Sequence, residues 1–373
     1  MKELKVLHVV TGMGMGGIEN FLINVYRNID RSKVSFDFII HKKTDDGFEN
    51  EIRELGGSIY YFYPISPKNI GKYMHDVRCF IRDHEEYSII HIHNRVVSAI
   101  WAFFAKKYNR ISIVHSHSTG NGLRCDGIIK NMAQYPSRFI ANYCMGCSQQ
   151  ANEWMFGKLR SASKTCFFVR NGIDTDKFVF SEENRVHIRS QLKIADDTIV
   201  IGTIGRLVPQ KNLPLLIDAF VSAKQIRENL MLIIVGDGPL YSEVEKKIVE
   251  LGMSDSIKML GNRQNVNELL SAFDCFALTS ICEGFGIVLI EAQAEGLPII
   301  ISPAISEEAC ITDDVIRIGS YEKDAWAEAM IHMKQKCRLD RRSEIRGAGY
   351  DIKAVSSWLS DFYQNCLPNG AIQ

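Results

Sequence analysis

What most constrains the fold of this chain is a pattern used twice. Short apolar runs rich in valine and isoleucine alternate with segments of helical spacing: Leu4 to Thr11, Val34 to Ile40, Ser58 to Tyr63, Ser88 to Ile92, Ile111 to His115, Asn142 to Cys147 and Thr165 to Val169. Several are apolar on both faces, as strands of a parallel sheet are when helices cover both sides. The segments between them, such as Glu19 to Asn28 and Tyr73 to His84, carry the helical period. Arg170-Asn171-Gly172-Ile173-Asp174 then reads as a turn, and the polar stretch Phe180 to Asp197 suits a passage between domains. The pattern restarts with Ile199 to Gly205, Leu230 to Val235, Ile257 to Leu260, Phe273 to Leu278 and Pro298 to Ser302. The expectation is an α/β protein of two doubly wound, Rossmann-like domains facing across a cleft, residues 1–175 and 176–351. Open α/β sheets bind ligands beyond the carboxyl ends of their strands, so the crevice between the domains is the expected site.

Composition narrows the class. No apolar stretch approaches the roughly 20 residues of a membrane-spanning helix, and the run after Met1 is too short for a secretory signal and lacks a cleavage pattern. A soluble or peripheral protein is expected, cytoplasmic, with no nucleic-acid partner. Ten cysteines without a secretory signal read as reduced thiols. Cys144 and Cys147 form a lone C-x-x-C, which cannot close a tetrahedral metal site. The zero net charge hides an asymmetry: residues 1–170 hold 23 Lys and Arg against 15 Asp and Glu, whereas 171–373 hold 21 against 29. Halves of opposite sign can meet different partners.

The chemistry is expected to concentrate in Ser280-Ile281-Cys282-Glu283-Gly284-Phe285-Gly286-Ile287-Val288-Leu289-Ile290-Glu291, which leads from the apolar run Phe273 to Leu278 into a helix ending before Pro298. Glu283 falls in the strand-to-helix loop and Glu291 about two turns into the helix. Gly284 and Gly286 allow a tight turn and leave amides at a helix N-terminus, a natural place for an anion. Acids around a phosphate-sized hole suit a ligand with both hydroxyls and phosphates, such as a sugar nucleotide.

Further candidates stand at strand ends. Gly16 and Gly17, in a glycine-rich loop after the first strand, let another molecule approach the backbone. Arg206 and Lys211 follow the first strand of the second half, with no carboxylate near them in sequence, and Asn212 is placed to cap the helix that holds Pro214. Arginine forks onto phosphate oxygens and lysine acts as a point charge, so the pair suits a dianion. Gly236 lies in a further strand-end turn, Val235-Gly236-Asp237-Gly238-Pro239. Two H-x-H pairs, His91/His93 and His115/His117, each present both members on one strand face. Four histidines raise the question of a metal, but no acidic or cysteine ligand is near them in sequence. Contact with sugar or phosphate is the alternative, and so is a structural hydrogen-bonding role.

The ordered set G-G-x-E, N-G-I-D, G-R-L-x-x-x-K-N, V-G-D-G-P and S-x-x-E-G-F-G, with Glu291 eight residues after Glu283, resembles the GT4 family of retaining glycosyltransferases with the GT-B fold. The resemblance runs from about residue 4 to the C-terminus. Asn24 to Asp30, Glu54-Leu55-Gly56-Gly57, His115-Ser116-His117-Ser118 and Glu291-Ala292-Gln293-Ala294 are similar to the capsular and exopolysaccharide branch.

The resemblance implies roles. Glu291 would hold the ribose hydroxyls of a nucleotide-sugar, with UDP the expected nucleotide, and Glu283 the sugar hydroxyls. Arg206 and Lys211 would neutralise the diphosphate, helped by the amides of Phe285, Gly286 and Ile287, with Val288 and Gly236 nearby and Gly16-Gly17 facing them. His117, or His115, would stand near the reacting carbon. No cofactor and no metal are implied, and closure of the two domains would exclude water. The acceptor implied is a glycan or a lipid-diphosphate-linked saccharide. Contact with anionic membrane is expected through Lys106, Lys107, Arg110, Arg124, Lys130 and Arg138. The C-terminal helix, about 352–373, would return to the first domain. Arg170 departs from the family pattern, which has proline before N-G-I-D. A UDP-sugar 2-epimerase or hydrolase on the same fold is the alternative function, and a hydrolase built on a histidine-bound metal is a third.

Overall fold

The computed structural model describes residues 3–14, 16–44, 47–117, 132–283 and 285–367. The chain divides into two compact units, Met1–Gly172 with Asp351–Gln373, and Ile173–Tyr350. The sequence placed the divisions at 175/176 and 351/352. Each unit is an α/β layer structure, as the repeated pattern requires.

The first unit holds seven parallel strands: β1 (Leu4–Val10), β2 (Val34–Ile40), β3 (Ile59–Tyr61), β4 (Tyr87–Ile92), β5 (Ile111–Ser116), β6 (Tyr143–Gly146) and β7 (Cys166–Phe168). Their order is β3-β2-β1-β4-β5-β6-β7, so the chain reverses direction of growth between β3 and β4. Below one face, Tyr73, Val77 and Ile81 of helix Ile70–Asp83 and Trp101 of helix Ser98–Lys107 pack on Leu7, Val9, Ile90 and Ile92. Trp101 Nε1 donates to Tyr73 Oη at 2.9 Å, which satisfies a polar group inside an otherwise apolar layer. Helix Ile352–Asn365 belongs to this unit and packs against helix Gly17–Asn28. A Cβ at Gly172 would lie 2.9 Å from Ile352 Cα, so the turn before the second unit runs tight against that helix.

The second unit holds six parallel strands: β8 (Ile199–Ile204), β9 (Leu230–Val235), β10 (Ile257–Met259), β11 (Cys275–Leu278), β12 (Ile299–Ile301) and β13 (Val315–Arg317). The order is β10-β9-β8-β11-β12-β13, which again reverses beside the first strand. Every residue of β8 is buried, as expected for a central strand. Leu216, Ile217 and Phe220 of helix Leu213–Ile226 cover one face together with Trp326 and Met330. β13 is absent from the sequence reading. It is a three-residue edge strand with two exposed positions, and it carries no apolar run to announce it.

Candidate functional site

In both units the switch point of the sheet collects the singled-out residues. In the second unit it lies where β8, β9 and β11 end. Leu207 N donates to Asp237 O at 2.9 Å and Leu240 N to Leu207 O at 3.1 Å, knitting the loop after β8 to that after β9. Gly236 is obligatory here, because its φ is +129° and a Cβ would lie 2.0 Å from Gly205 O. The loop after β11 is fastened likewise: Thr279 Oγ1 donates to Lys211 O at 2.8 Å and Ile281 N to Gln210 O at 2.8 Å.

These bonds bring Lys211 Nζ to 2.5 Å from Glu283 Oε2. Ser280 Oγ donates to the same oxygen at 3.1 Å. The side chains of Lys211 and Glu283 are only 18% and 16% exposed, so the pair is held well out of bulk water. The sequence suggested two cations without a carboxylate. The fold corrects this, because β8 and β11 are neighbours and bring together residues 72 apart. Arg206 is exposed on the same loop, and with Gly205, Lys211 and Val235 it lines a hollow of about 10 Å³. Asn212 does not cap as expected. It takes a left-handed conformation at φ 50°, and its side chain makes no capping bond to helix Leu213–Ile226.

Gly286 is also left-handed, at φ +67°, and precedes helix Ile287–Ala294, whose first turn holds Ile287 and Val288. The first N–H groups of a helix have no intrahelical acceptor, so this turn presents amides beside the Lys211–Glu283 pair. Phe285 is buried and stacks on Tyr350 with centroids 5.1 Å apart, which anchors the loop. Glu291 is the fifth helical residue, a little over one turn in rather than two. It is partly buried; burial pushes its carboxyl up to about 7, and nearby Lys177 acts in the opposite sense. Gly284 lies outside the described residues, as do Arg124 and Lys130.

In the first unit, β1, β4 and β5 end in a cluster of imidazoles. His8 is paired with His91 in the β1–β4 register, and both pairs foreseen in the sequence converge on them. His8 Nδ1 lies 3.0 Å from His93 Nε2, and His93 Nδ1 lies 2.8 Å from His117 Nε2. His91 Nδ1 and Tyr363 Oη are hydrogen-bonded at 2.7 Å, and the His115 and His117 rings stack at 4.0 Å. Burial holds His8 and His117 down to about 3. His91, His93 and His115 are lowered well below the usual range by burial first and by neighbouring imidazoles second. The cluster is therefore neutral at physiological pH. His93, His115 and His117 line a pocket of about 540 Å³, together with Thr11, Ile18, His41, Arg95 and Trp154. Ile18, the residue after Gly17, lines this pocket, whereas Gly16 and Gly17 do not.

Three participants escaped sequence reading. His8 left a signal as the one strongly polar interruption inside the run Leu4 to Val10 after Lys5. His41 is held by Val10 O and Tyr73 Oη, each at 2.7 Å, and Tyr363 comes from the far end of the chain. Neither follows from local pattern. Among the basic residues expected to face a membrane, Lys106 and Lys107 are exposed. Arg138 is turned inward, donating to Met155 O at 3.1 Å and lying over the Tyr135 ring at 4.0 Å. Arg110 is half-buried. Among the described residues, no helix is long and apolar enough to cross a membrane.

Comparison with known proteins places this geometry in context. Residues 184–349 match the family described as glycosyl transferases group 1. The chain is 30% identical over 371 residues to EpsF of Bacillus subtilis (strain 168), which carries a glycosyltransferase name, covering 97% of this chain and 96% of the relative. It is 22% identical over 321 residues to the Escherichia coli UDP-Gal:alpha-D-GlcNAc-diphosphoundecaprenol alpha-1,3-galactosyltransferase, covering 80% of this chain and 79% of that protein. The crystal structure of Anabaena Alr3699/HepE in complex with UDP and glucose superposes with a TM-score of 0.80 at 20% identity, covering 97% of this chain and 100% of that one.

Proposed function

The chain belongs to the group 1 glycosyltransferases and has the GT-B fold, and on that premise we propose that it is a retaining enzyme that moves a sugar from a UDP-sugar to a saccharide carried on a lipid diphosphate. The observation that carries this reading is the Lys211–Glu283 pair, with Arg206 lining the same hollow as Lys211 and the amide turn at Gly286 close after Glu283. It offers cations and N–H groups to a diphosphate, and a carboxylate to the hydroxyls of the attached sugar.

In this reading the bond from the anomeric carbon to the diphosphate oxygen breaks with both electrons going to phosphate. The acceptor oxygen bonds to the same face of that carbon, and its proton passes to the departing phosphate. Arg206, Lys211 and the amides of Phe285, Gly286 and Ile287 stabilise the charge that accumulates there, so no divalent cation is required for this step. Glu291 accepts from the ribose hydroxyls, Gly236 admits the nucleotide, and His117 or His115 stands near the reacting carbon beside Gly16-Gly17. A UDP-sugar donor and a saccharide acceptor on a lipid diphosphate are supported by the name of the E. coli galactosyltransferase.

The test combines donor and acceptor. Purified protein is incubated with UDP-sugars alone and with lipid-diphosphate-linked saccharides, and products are followed by mass spectrometry. Transfer only with acceptor is the expected result, and it disappears in Lys211→Ala. Conversion of the donor to its 2-epimer without acceptor would replace this reading with the epimerase.

A further inference from the structure

We propose that His93, His115 and His117 form a binding site for a first-row divalent ion of the zinc class. Each offers a ring nitrogen, and these atoms lie within 4.8 Å of one another. His8, His91 and His93 are gathered as closely, but His8 and His91 do not line the pocket, whereas His93, His115 and His117 all do. An ion therefore has a route to this trio and an open side on which to keep a water or other exogenous ligand.

The hydrogen bonding around these rings is incomplete. Neither ring nitrogen of His115 has a partner among the described residues, and neither has His117 Nδ1, although all three atoms are buried. Burying a polar atom without a partner is costly, and a protein that does so three times at one point has a reason to place a ligand there. A contact of 2.8 Å between His93 Nδ1 and His117 Nε2 means that two lone-pair sites share one proton. A metal ion can take the place of that proton. In a tetrahedral site with zinc-to-nitrogen bonds of about 2.05 Å the nitrogens stand about 3.35 Å apart, so the pair needs to open by roughly half an ångström.

The remaining nitrogen of His93 is already engaged. His93 Nε2 lies 3.0 Å from His8 Nδ1, which orients the ring and directs Nδ1 toward the site. Metal-binding histidines are commonly oriented in this way through their second nitrogen. Because the donors are all imidazole nitrogens, the site favours zinc, cobalt, nickel or copper and disfavours magnesium or calcium, which require oxygen ligands. The site shares His115 and His117 with the position proposed for the reacting carbon, but it takes no part in the neutralisation of a diphosphate by Arg206 and Lys211, and metal binding by the trio is read without any donor or acceptor present.

The experiment uses the tag-free full chain, stripped with chelator and titrated with Zn²⁺ and with Co²⁺. One equivalent of each should bind, and cobalt should give the intense visible bands of a low-coordinate site. X-ray absorption on the wild-type protein should count three imidazole ligands, a readout that needs no variant. His115→Gln and His117→Gln should each weaken binding at least tenfold, and His187→Gln, on the exposed surface of the second unit, should leave it unchanged. Absence of stoichiometric binding by the wild type, or wild-type affinity in a folded His115→Gln protein, would overturn the proposal.

Discussion

Lys211 Nζ and Glu283 Oε2 lie 2.5 Å apart, so the cation proposed to meet the donor diphosphate is already paired with a carboxylate. A donor must take Lys211 from Glu283 and leave the carboxylate for the sugar. Removing the carboxylate removes that competition. Glu283→Ala should therefore bind UDP about five- to tenfold more tightly, in line with about 1 kcal/mol for a partly shielded pair, while sugar transfer falls by at least two orders of magnitude. Calorimetry with UDP and a turnover assay separate the two effects. Weaker UDP binding in this variant would show that Glu283 organises Lys211 for the phosphate instead of restraining it.

In the proposed reading, Glu291 links donor binding to pH. Burial lifts its carboxyl to about 7, and a ribose requires it as an ionised acceptor. The affinity for a UDP-sugar, whose diphosphate does not titrate in this range, should fall towards tenfold per pH unit below about 7. Glu291→Gln should flatten that profile. Stability without donor moves the other way. A carboxyl raised above its ordinary value contributes stability that is complete below about 4.3 and is lost as pH rises through about 7. Glu295, buried and also pushed up to about 7, adds to the same loss, so only the ligand-dependent profile isolates Glu291.

Much of this was legible in the sequence because strands of parallel sheets are continuous apolar runs, and the ends of those runs mark the site. Gly236, Gly286, Arg206, Lys211 and Glu283 were singled out in this way, from turns that need glycine and from charges that stand where strands stop, and the fold gathers them in the loops after β8, β9 and β11. Pairing was not legible. Lys211 meets Glu283 only because β8 and β11 are neighbours, and strand order is a long-range property that local pattern does not encode. The same holds for His8 beside His91 and for Tyr363 against His91, where the contact spans 272 residues. Asn212 failed as a cap for a local reason: its backbone is left-handed, and its side chain makes no capping bond.

Asp274 should be the most sensitive polar residue of the second unit. It is buried at the start of β11 and accepts from Arg185 at 2.6 Å, Arg189 at 3.2 Å and Val200 N at 2.8 Å. Replacing it by alanine leaves a strand amide without its acceptor and two shielded guanidinium groups without their carboxylate, held only by backbone carbonyls such as Phe273 O and Thr198 O. A loss of about 3–5 kcal/mol is expected in denaturant unfolding of this unit. Because the residue sits at the end of the sheet away from Lys211 and Glu283, the folded fraction should retain its affinity for UDP. A loss below about 1 kcal/mol would mean that the backbone carbonyls already bonded to Arg185 and Arg189 suffice to hold them.

Membrane attachment, if it follows the proposed acceptor, has a definite surface to test. Phe139 is 70% exposed and Tyr135 52%, on and just before a short helix that packs against helix Ser98–Lys107; the latter ends in the exposed Lys106 and Lys107 and carries Phe103 at 49%. Apolar rings beside cations suit the interface of an anionic bilayer, where each lysine contributes about 1 kcal/mol and a buried phenylalanine about 1.5–3 kcal/mol. In flotation with vesicles containing phosphatidylglycerol, Phe139→Asp should lower binding about tenfold or more. The double change Lys106→Glu with Lys107→Glu should do so only at low salt, because screening already removes the lysine contribution when salt is high. Both variants should keep the UDP affinity of the wild type, since Phe139, Lys106 and Lys107 are not among the residues assigned to the donor. Equal flotation of wild type and both variants would place the attachment surface elsewhere.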